Sequence, residues 1–219
     1  MRICRFILLA AIAPAVWGQS AERVDPAPSA PDGLAVKALR LFEPSHPTKL
    51  TAKDRFRLYL ESTVGPLPIV TQAASAGIFQ ATDRPPEWGQ GGSGYGKRLA
   101  DGLAYNAVRT TITYGTSSLF REDNRYFASG RAHAGSRILF ALSSPFRART
   151  DSGNYRFSIS TTSGIVSSAV ISRAWEPDSW QGAANIGRSI GYGYAGVAGL
   201  NLFREFVPDL IRRIKRGGS

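Results

Sequence analysis

The sequence predicts an all-α fold, a single bundle of about five to six helices whose packing faces are made of glycine and alanine. Three observations predict it. Apolar residues recur at three- and four-residue spacing over most of the chain after Thr51. Helix start signals stand at Thr51-Ala52-Lys53-Asp54 and Pro177-Asp178-Ser179, and Gly217-Gly218 is a stop signal. The last apolar stripe carries small residues four apart, the pattern that lets helices approach closely. A β-barrel would need many alternating strands and commonly an aromatic end, whereas this chain ends Lys215-Arg216-Gly217-Gly218-Ser219.

The elements follow in order. Arg2 and Arg5 precede the apolar run Phe6 to Trp17, and Val16-Trp17-Gly18 ends on the small residue that signal peptidase requires. Residues 1–18 are expected to be a secretory signal peptide cleaved after Gly18. A retained anchor would need about 20 apolar residues, and this run is shorter and broken by Pro14. Residues 19–50 hold Pro26, Pro28, Pro31, Pro44 and Pro47 and read as a linker or extended arm, with Leu34 to Phe42 as a short docking helix.

Residues 51–219 are the expected helical domain. Thr51 and Asp54 form a capping-box-like start, Phe56, Tyr59, Leu60 and Val64 share one face, and Gly65-Pro66 stops this helix and leads into the next. From Gly94 a long helix is expected through Phe120, with the β-branched run Thr110 to Thr113 keeping a strand as its alternative. Arg131 to Arg149 is expected to be helical with a kink or restart at Pro145, and Asp151-Ser152-Gly153-Asn154 is turn chemistry. Phe157-Ser158-Ile159-Ser160 alternates as a strand does, while Ile165 and Ala169 follow helical spacing, so a helix is expected from about Ser160. The last helix carries Ile186 to Ile214 as a stripe, with Pro208 expected to bend it and Arg212, Arg213, Lys215 and Arg216 at its negative end. Within it Gly187, Gly191, Ala195 and Gly199 are the candidate helix-packing residues, since glycine in a helix costs about 1 kcal/mol against alanine unless packing compensates.

The chain carries a net charge of +11, and 22 of its 27 basic residues are arginine, which suits planar contacts to carboxylate or phosphate. For an exported protein this favours anionic lipid or an envelope glycan as partner over nucleic acid. No segment after the leader reads as a convincing membrane span, yet several uncharged small-residue stretches are expected to pack on one another and to lie against a membrane. No oligomeric state follows from these patterns.

Gly91-Gly92-Ser93-Gly94-Tyr95-Gly96-Lys97 has the spacing of a phosphate-binding loop, but Arg98 replaces the magnesium-holding Ser or Thr and Pro85-Pro86-Glu87-Trp88 is no buried strand. Nucleotide binding is not expected. An ordinary helix-entry loop is expected, with delivery of Lys97 and Arg98 to a helix N-terminus, where an anion is favoured, as its alternative. With Arg121 and Arg125 these are the candidate anion-binding residues. Arg121 to Phe127 reads as a structural corner in which Glu122 and Asp123 bond to arginines and loop amides while Tyr126 and Phe127 enter the core.

Catalytic signals are sparse. Cys4 is the sole cysteine and leaves with the leader, so disulfides, cysteine-ligated metals and thiol catalysis are excluded from the mature chain. Two histidines, His46 and His133, do not make a zinc site, and no G-x-S-x-G pentapeptide supplies a nucleophilic serine. No catalytic, metal or cofactor residue is expected. The competing class is a soluble periplasmic enzyme using His133 with a nearby acid.

The block Glu87-Trp88-Gly89-Gln90-Gly91 followed by Gly94-Tyr95-Gly96-Lys97-Arg98, with the acidic pair Glu122-Asp123 before Arg125-Tyr126-Phe127, resembles an uncharacterised family of exported bacterial proteins. The likeness extends to Arg149-Thr150-Asp151-Ser152-Gly153 and Phe203-Arg204-Glu205-Phe206-Val207-Pro208-Asp209. Arg121 stands where the family tends to have histidine, and Trp175-Glu176-Pro177 replaces its Tyr-Tyr-Pro corner. The resemblance implies a helical, exported protein and brings no activity with it. The expectation is a structural or interaction protein of the periplasm, outer membrane or wider cell envelope, associated with the membrane.

Overall fold

The computed structural model describes residues Gly33 to Gly217; the expected signal peptide and the first part of the arm lie outside the described residues. The chain is mostly helical. Its helices are α1 (Leu34–Arg40), α2 (Ala52–Val64), α3 (Pro66–Ala81), α4 (Gly91–Phe120), α5 (Ala134–Leu142), α6 (Ile159–Ile171) and α7 (Ala183–Gly217). Six of these match the expected bundle, and the seven-residue α1 is the docking helix expected inside the arm. A small antiparallel sheet adds β1 (Glu122–Asp123), β2 (Arg147–Thr150) and β3 (Tyr155–Phe157) in that spatial order.

Local chemistry sets most boundaries. Thr51 Oγ1 accepts the Asp54 amide at 3.2 Å and Asp54 Oδ2 accepts the Thr51 amide at 3.0 Å, which completes the capping box of α2. Gly65 ends α2 in extended conformation, and Pro66 opens α3 at a position whose amide would have no partner. The strand alternative at Thr110 to Thr113 falls because Thr110 Oγ1 turns back to the Asn106 carbonyl at 2.8 Å, within α4.

Two expectations need correction. The glycine stretch is the first turn of α4, which starts at Gly91 instead of near Gly94. A Cβ on Gly94 would stand 2.2 Å from the Gly89 carbonyl, so the chain must lack side chains there to fold back on its own loop. The helix expected over 131–149 ends at Leu142: Pro145 sits in a short 3-10 turn, and Arg147 to Thr150 pair as a strand with β3, Arg147 opposite Phe157 and Arg149 opposite Tyr155. The same hairpin gives the ambiguous segment a strand end at Phe157 before α6 starts at Ile159, capped by Ser158, whose hydroxyl accepts the Thr161 amide at 3.1 Å.

α4 lies at the centre, packed on α6, α3 and α2, while α7 packs on α5, α6 and α1. The α4–α6 approach is close because Gly164 has no side chain; a Cβ there would meet Thr113 Oγ1 at 2.1 Å and the Arg109 carbonyl at 2.9 Å. α7 approaches α6 over Gly193, where a Cβ would meet Ile165 at 2.7 Å.

The distribution of polarity is unusual. A buried apolar cluster joins Val36 of α1 to Val207 and Ile211 of α7, with Leu39 and Phe42 packed against it, and Phe42 meets Phe203 edge-on at 5.1 Å. Elsewhere the interior is largely polar: Glu122, Glu205, Ser158, Ser160, Ser168 and Ser172 are each 1% exposed or less. Large apolar side chains meanwhile face outward, with Leu119 76%, Val64 68%, Leu139 68% and Ile78 65% exposed.

Candidate functional site

The four candidate anion-binding residues do not converge. Lys97 is exposed on α4. Arg98 is 3% exposed and fully committed: its guanidinium donates to the carbonyls of Arg84 (2.9 Å), Gly89 (2.7 Å) and Pro85 (2.9 Å), to Gln80 Oε1, and to Asp83 Oδ1 at 3.4 Å. It holds the loop before α4 in place and has no donor left for a ligand. Arg121 closes α4 in left-handed conformation, φ 52°, with its side chain outside. Arg125 folds onto Asp123, Nη2 to Oδ2 at 2.8 Å, and reaches back to the Thr48 carbonyl at 2.7 Å.

The corner takes the expected form. Glu122 sits at the N-terminus of α6 and accepts the amides of Ile159 (3.2 Å) and Ser160 (2.9 Å) and the Ser160 hydroxyl (2.5 Å), with Arg156 Nε at 3.4 Å. Tyr126 and Phe127 are buried. Tyr126 donates its hydroxyl to Glu205 of α7 at 2.7 Å, and Ser129 and Arg137 complete the shell of that carboxylate. Burial acts to raise the Glu205 pKa, but the hydrogen bonds from Ser129, Tyr126 and Arg137 prevail and hold it below the usual range.

The helix-packing candidates Gly187, Gly191, Ala195 and Gly199 form one exposed stripe of α7, and nothing lies within 4 Å of a Cβ built on its three glycines. The glycine that α7 does use inside the chain is Gly193. His133 is the exposed N-cap residue of α5, and among the described residues its ring makes no hydrogen bond. Asp101 and Glu176, whose pKa values burial pushes up, are held by Trp175 Nε1 at 2.8 Å and Arg173 at 2.5 Å. Among the described residues no cluster of His, Cys, Asp and Glu is arranged to hold a metal.

What α2, α3, α4 and α7 border is a half-open cavity of about 730 Å³, within the usual size of small-molecule sites. Two arginines from the two longest helices line it. Arg109 donates to Asn106 Oδ1 at 2.8 Å, and Arg204 to Asn201 Oδ1 at 3.3 Å. Each asparagine is anchored through its own amide nitrogen, Asn106 to the Ser62 carbonyl at 3.0 Å and Asn201 to Ser144 Oγ at 2.9 Å. Burial lowers the pKa of both guanidinium groups, with Tyr105 opposing the effect at Arg109, and no carboxylate acts on either. Arginine keeps its charge even so. The Nε of Arg204 is buried without a hydrogen-bond partner.

The cavity's carboxylates are all engaged elsewhere: Glu61 by Arg57 at 2.7 Å, Glu43 by Arg40 at 3.4 Å, Asp123 by Arg125, and Glu122 by α6. A third arginine, Arg55, spends one nitrogen on the carbonyls of Glu122 (2.6 Å) and Ser117 (3.3 Å) and has Asp151 at 3.6 Å. The lining is largely apolar, and within it Arg109 and Arg204 are the cations on which no carboxylate acts. Sequence reasoning passed over Arg109 and Arg204, although a signal existed. Arg109 is the sole charge between Asp101 and Arg121, and Asn-x-x-Arg recurs at Asn106, Asn185 and Asn201.

Comparison of the chain with protein-family models, curated proteins and solved structures gave no match.

Proposed function

We propose that this chain is an exported interaction protein of the cell envelope that lies on an anionic membrane surface. The observation that carries this reading is the outward placement of its large apolar side chains around an interior of serine, asparagine, glutamate and arginine. A protein surrounded only by water rarely exposes extended apolar surface, and such surface marks a membrane or protein contact. Among the described residues no helix is long and apolar enough to cross a membrane, so adsorption is the mode proposed.

The C-terminal half of α7 has the features of an adsorbing helix. Phe203, Leu210 and Ile214 are each at least 40% exposed, and Arg212, Arg213, Lys215 and Arg216 crowd the same end. Outer apolar residues of α2 and α3, among them Phe56, Leu60, Val64 and Ile78, with Lys53 and Arg57 beside them in α2, offer a second such surface. Arginine heads engage lipid phosphates while the apolar residues enter the headgroup boundary. The expected signal peptide and the resemblance to exported bacterial proteins support the same placement.

Flotation of the mature protein with vesicles tests this. Binding is expected to vesicles containing phosphatidylglycerol and to weaken as salt rises from about 0.01 M to 0.5 M, as the Debye length shrinks. Replacing Leu210 and Ile214 by aspartate is expected to abolish it. Failure to bind anionic vesicles at the low salt concentration would overturn the reading.

A further inference from the structure

We infer that the cavity between α2, α3, α4 and α7 binds an anionic amphiphile, its phosphate or carboxylate head held by Arg109 and Arg204 and its alkyl part against the apolar wall. The inference goes beyond membrane adsorption, because it concerns the inside of the bundle and does not need the outer surface.

Both arginines are held toward the chamber by an asparagine one helical turn earlier, and that asparagine is itself tied to another element. Each guanidinium has five N–H donors, of which the asparagine takes one, and Arg204 has in addition a buried Nε with no partner. Two partly buried cations on which no carboxylate acts are stabilised when a counter-charge joins them. The acids bordering the chamber do not supply it: none acts on either guanidinium, and Glu61, Glu43, Asp123 and Glu122 each hold an arginine or a helix terminus. An oxyanion, with paired acceptors spaced for guanidinium forks, is the chemistry that fits.

The remainder of the wall favours an apolar body on that head. Leu58, Leu67, Val197 and Leu200 line the chamber, as do Tyr59 and Tyr114, whose rings stack at 4.9 Å. A free inorganic ion would leave this side filled only by water. A chain of roughly ten carbons fits within this volume with room to spare.

Calorimetric titration of the mature protein below the ligands' micelle concentrations tests the inference with four probes: decyl phosphate, decanoate, inorganic phosphate and decyltrimethylammonium. Decyl phosphate and decanoate are expected to bind with one site per chain, and the cationic probe is not. Arg109→Met and Arg204→Met are each expected to weaken binding by roughly tenfold or more, the loss that removing a charge-assisted hydrogen bond produces. Arg188→Met, which removes the third Asn-x-x-Arg arginine from the exposed face of α7, is expected to leave it unchanged. Equal binding of the cationic probe would overturn the inference by showing an apolar cavity without anion selection. Inorganic phosphate binding as tightly as decyl phosphate would overturn the amphiphile. The probe comparison uses the unaltered protein, so it stands even where a variant does not fold. A wild-type affinity in both methionine variants would remove the arginines from the site.

Discussion

Glu205 is enclosed by Tyr126, Ser129 and Arg137, and together with Asp209 it titrates below the ordinary carboxylate values of 4.5 and 3.8. Both groups bind a proton less tightly in the folded chain than in the unfolded one. Their stabilisation is therefore full above those ordinary values and is lost as pH falls through the lower folded values. Urea unfolding midpoints are expected to drop between about pH 5 and pH 2, and Glu205→Gln is expected to flatten that slope and to cost about 3 kcal/mol near neutral pH. Glu176 has the opposite sign: burial pushes its pKa up, so its contribution to stability falls as pH rises above the ordinary value. Arg204 differs from both. In the absence of ligand, Arg204→Met is expected to leave the melting temperature unchanged or to raise it, by about 1–4 kcal/mol in stability, because a buried cation without a carboxylate is replaced by an apolar chain of similar length. A clear fall in melting temperature would show that the arginine stabilises the empty protein.

At the scale of the helix, glycine has two separate uses in this chain. Gly164 and Gly193 are contact glycines, since a Cβ at either meets another helix at 2.1 Å and 2.7 Å respectively. Gly187, Gly191 and Gly199 are open, with nothing within 4 Å of a Cβ. Gly164→Ala is expected to force α4 from α6 and to destabilise the fold by about 1–3 kcal/mol, as overpacking does. Gly191→Ala is expected to stabilise the isolated chain by up to about 1 kcal/mol through helix propensity. Thermal unfolding of the two variants side by side separates the classes. Destabilisation by Gly191→Ala would mean that the open stripe is covered in the protein as it exists in solution.

The molecule as a whole places charge and hydroxyl inside and much aliphatic surface outside, and on the proposed reading a bound surface adds to its stability. A ligand or surface that binds only the folded state stabilises it in proportion to the logarithm of its concentration. Anionic vesicles are expected to raise the thermal midpoint at low salt, with zwitterionic vesicles giving a smaller rise. Absence of any shift, together with good solubility at high protein concentration, would count against surface adsorption.

The sequence by itself determined the helices and most of their ends. Thr51 with Asp54, Gly65 with Pro66 and the stripe along α7 act through bonds and contacts within four residues, so they are legible in spacing alone. It also carried the acidic corner, whose partners are close in kind if not in position. Only the tertiary structure decided which arginines are spent and which are free to meet a ligand. Arg98 and Arg109 look alike in the sequence of α4, yet one is saturated by the loop before it and the other faces a chamber. The physical reason is range: Arg55 meets the Glu122 carbonyl across 67 positions, and Tyr126 meets Glu205 across 79. Such pairings depend on how the helices cross, and helix crossing is set by the packing of whole faces, which no local pattern records.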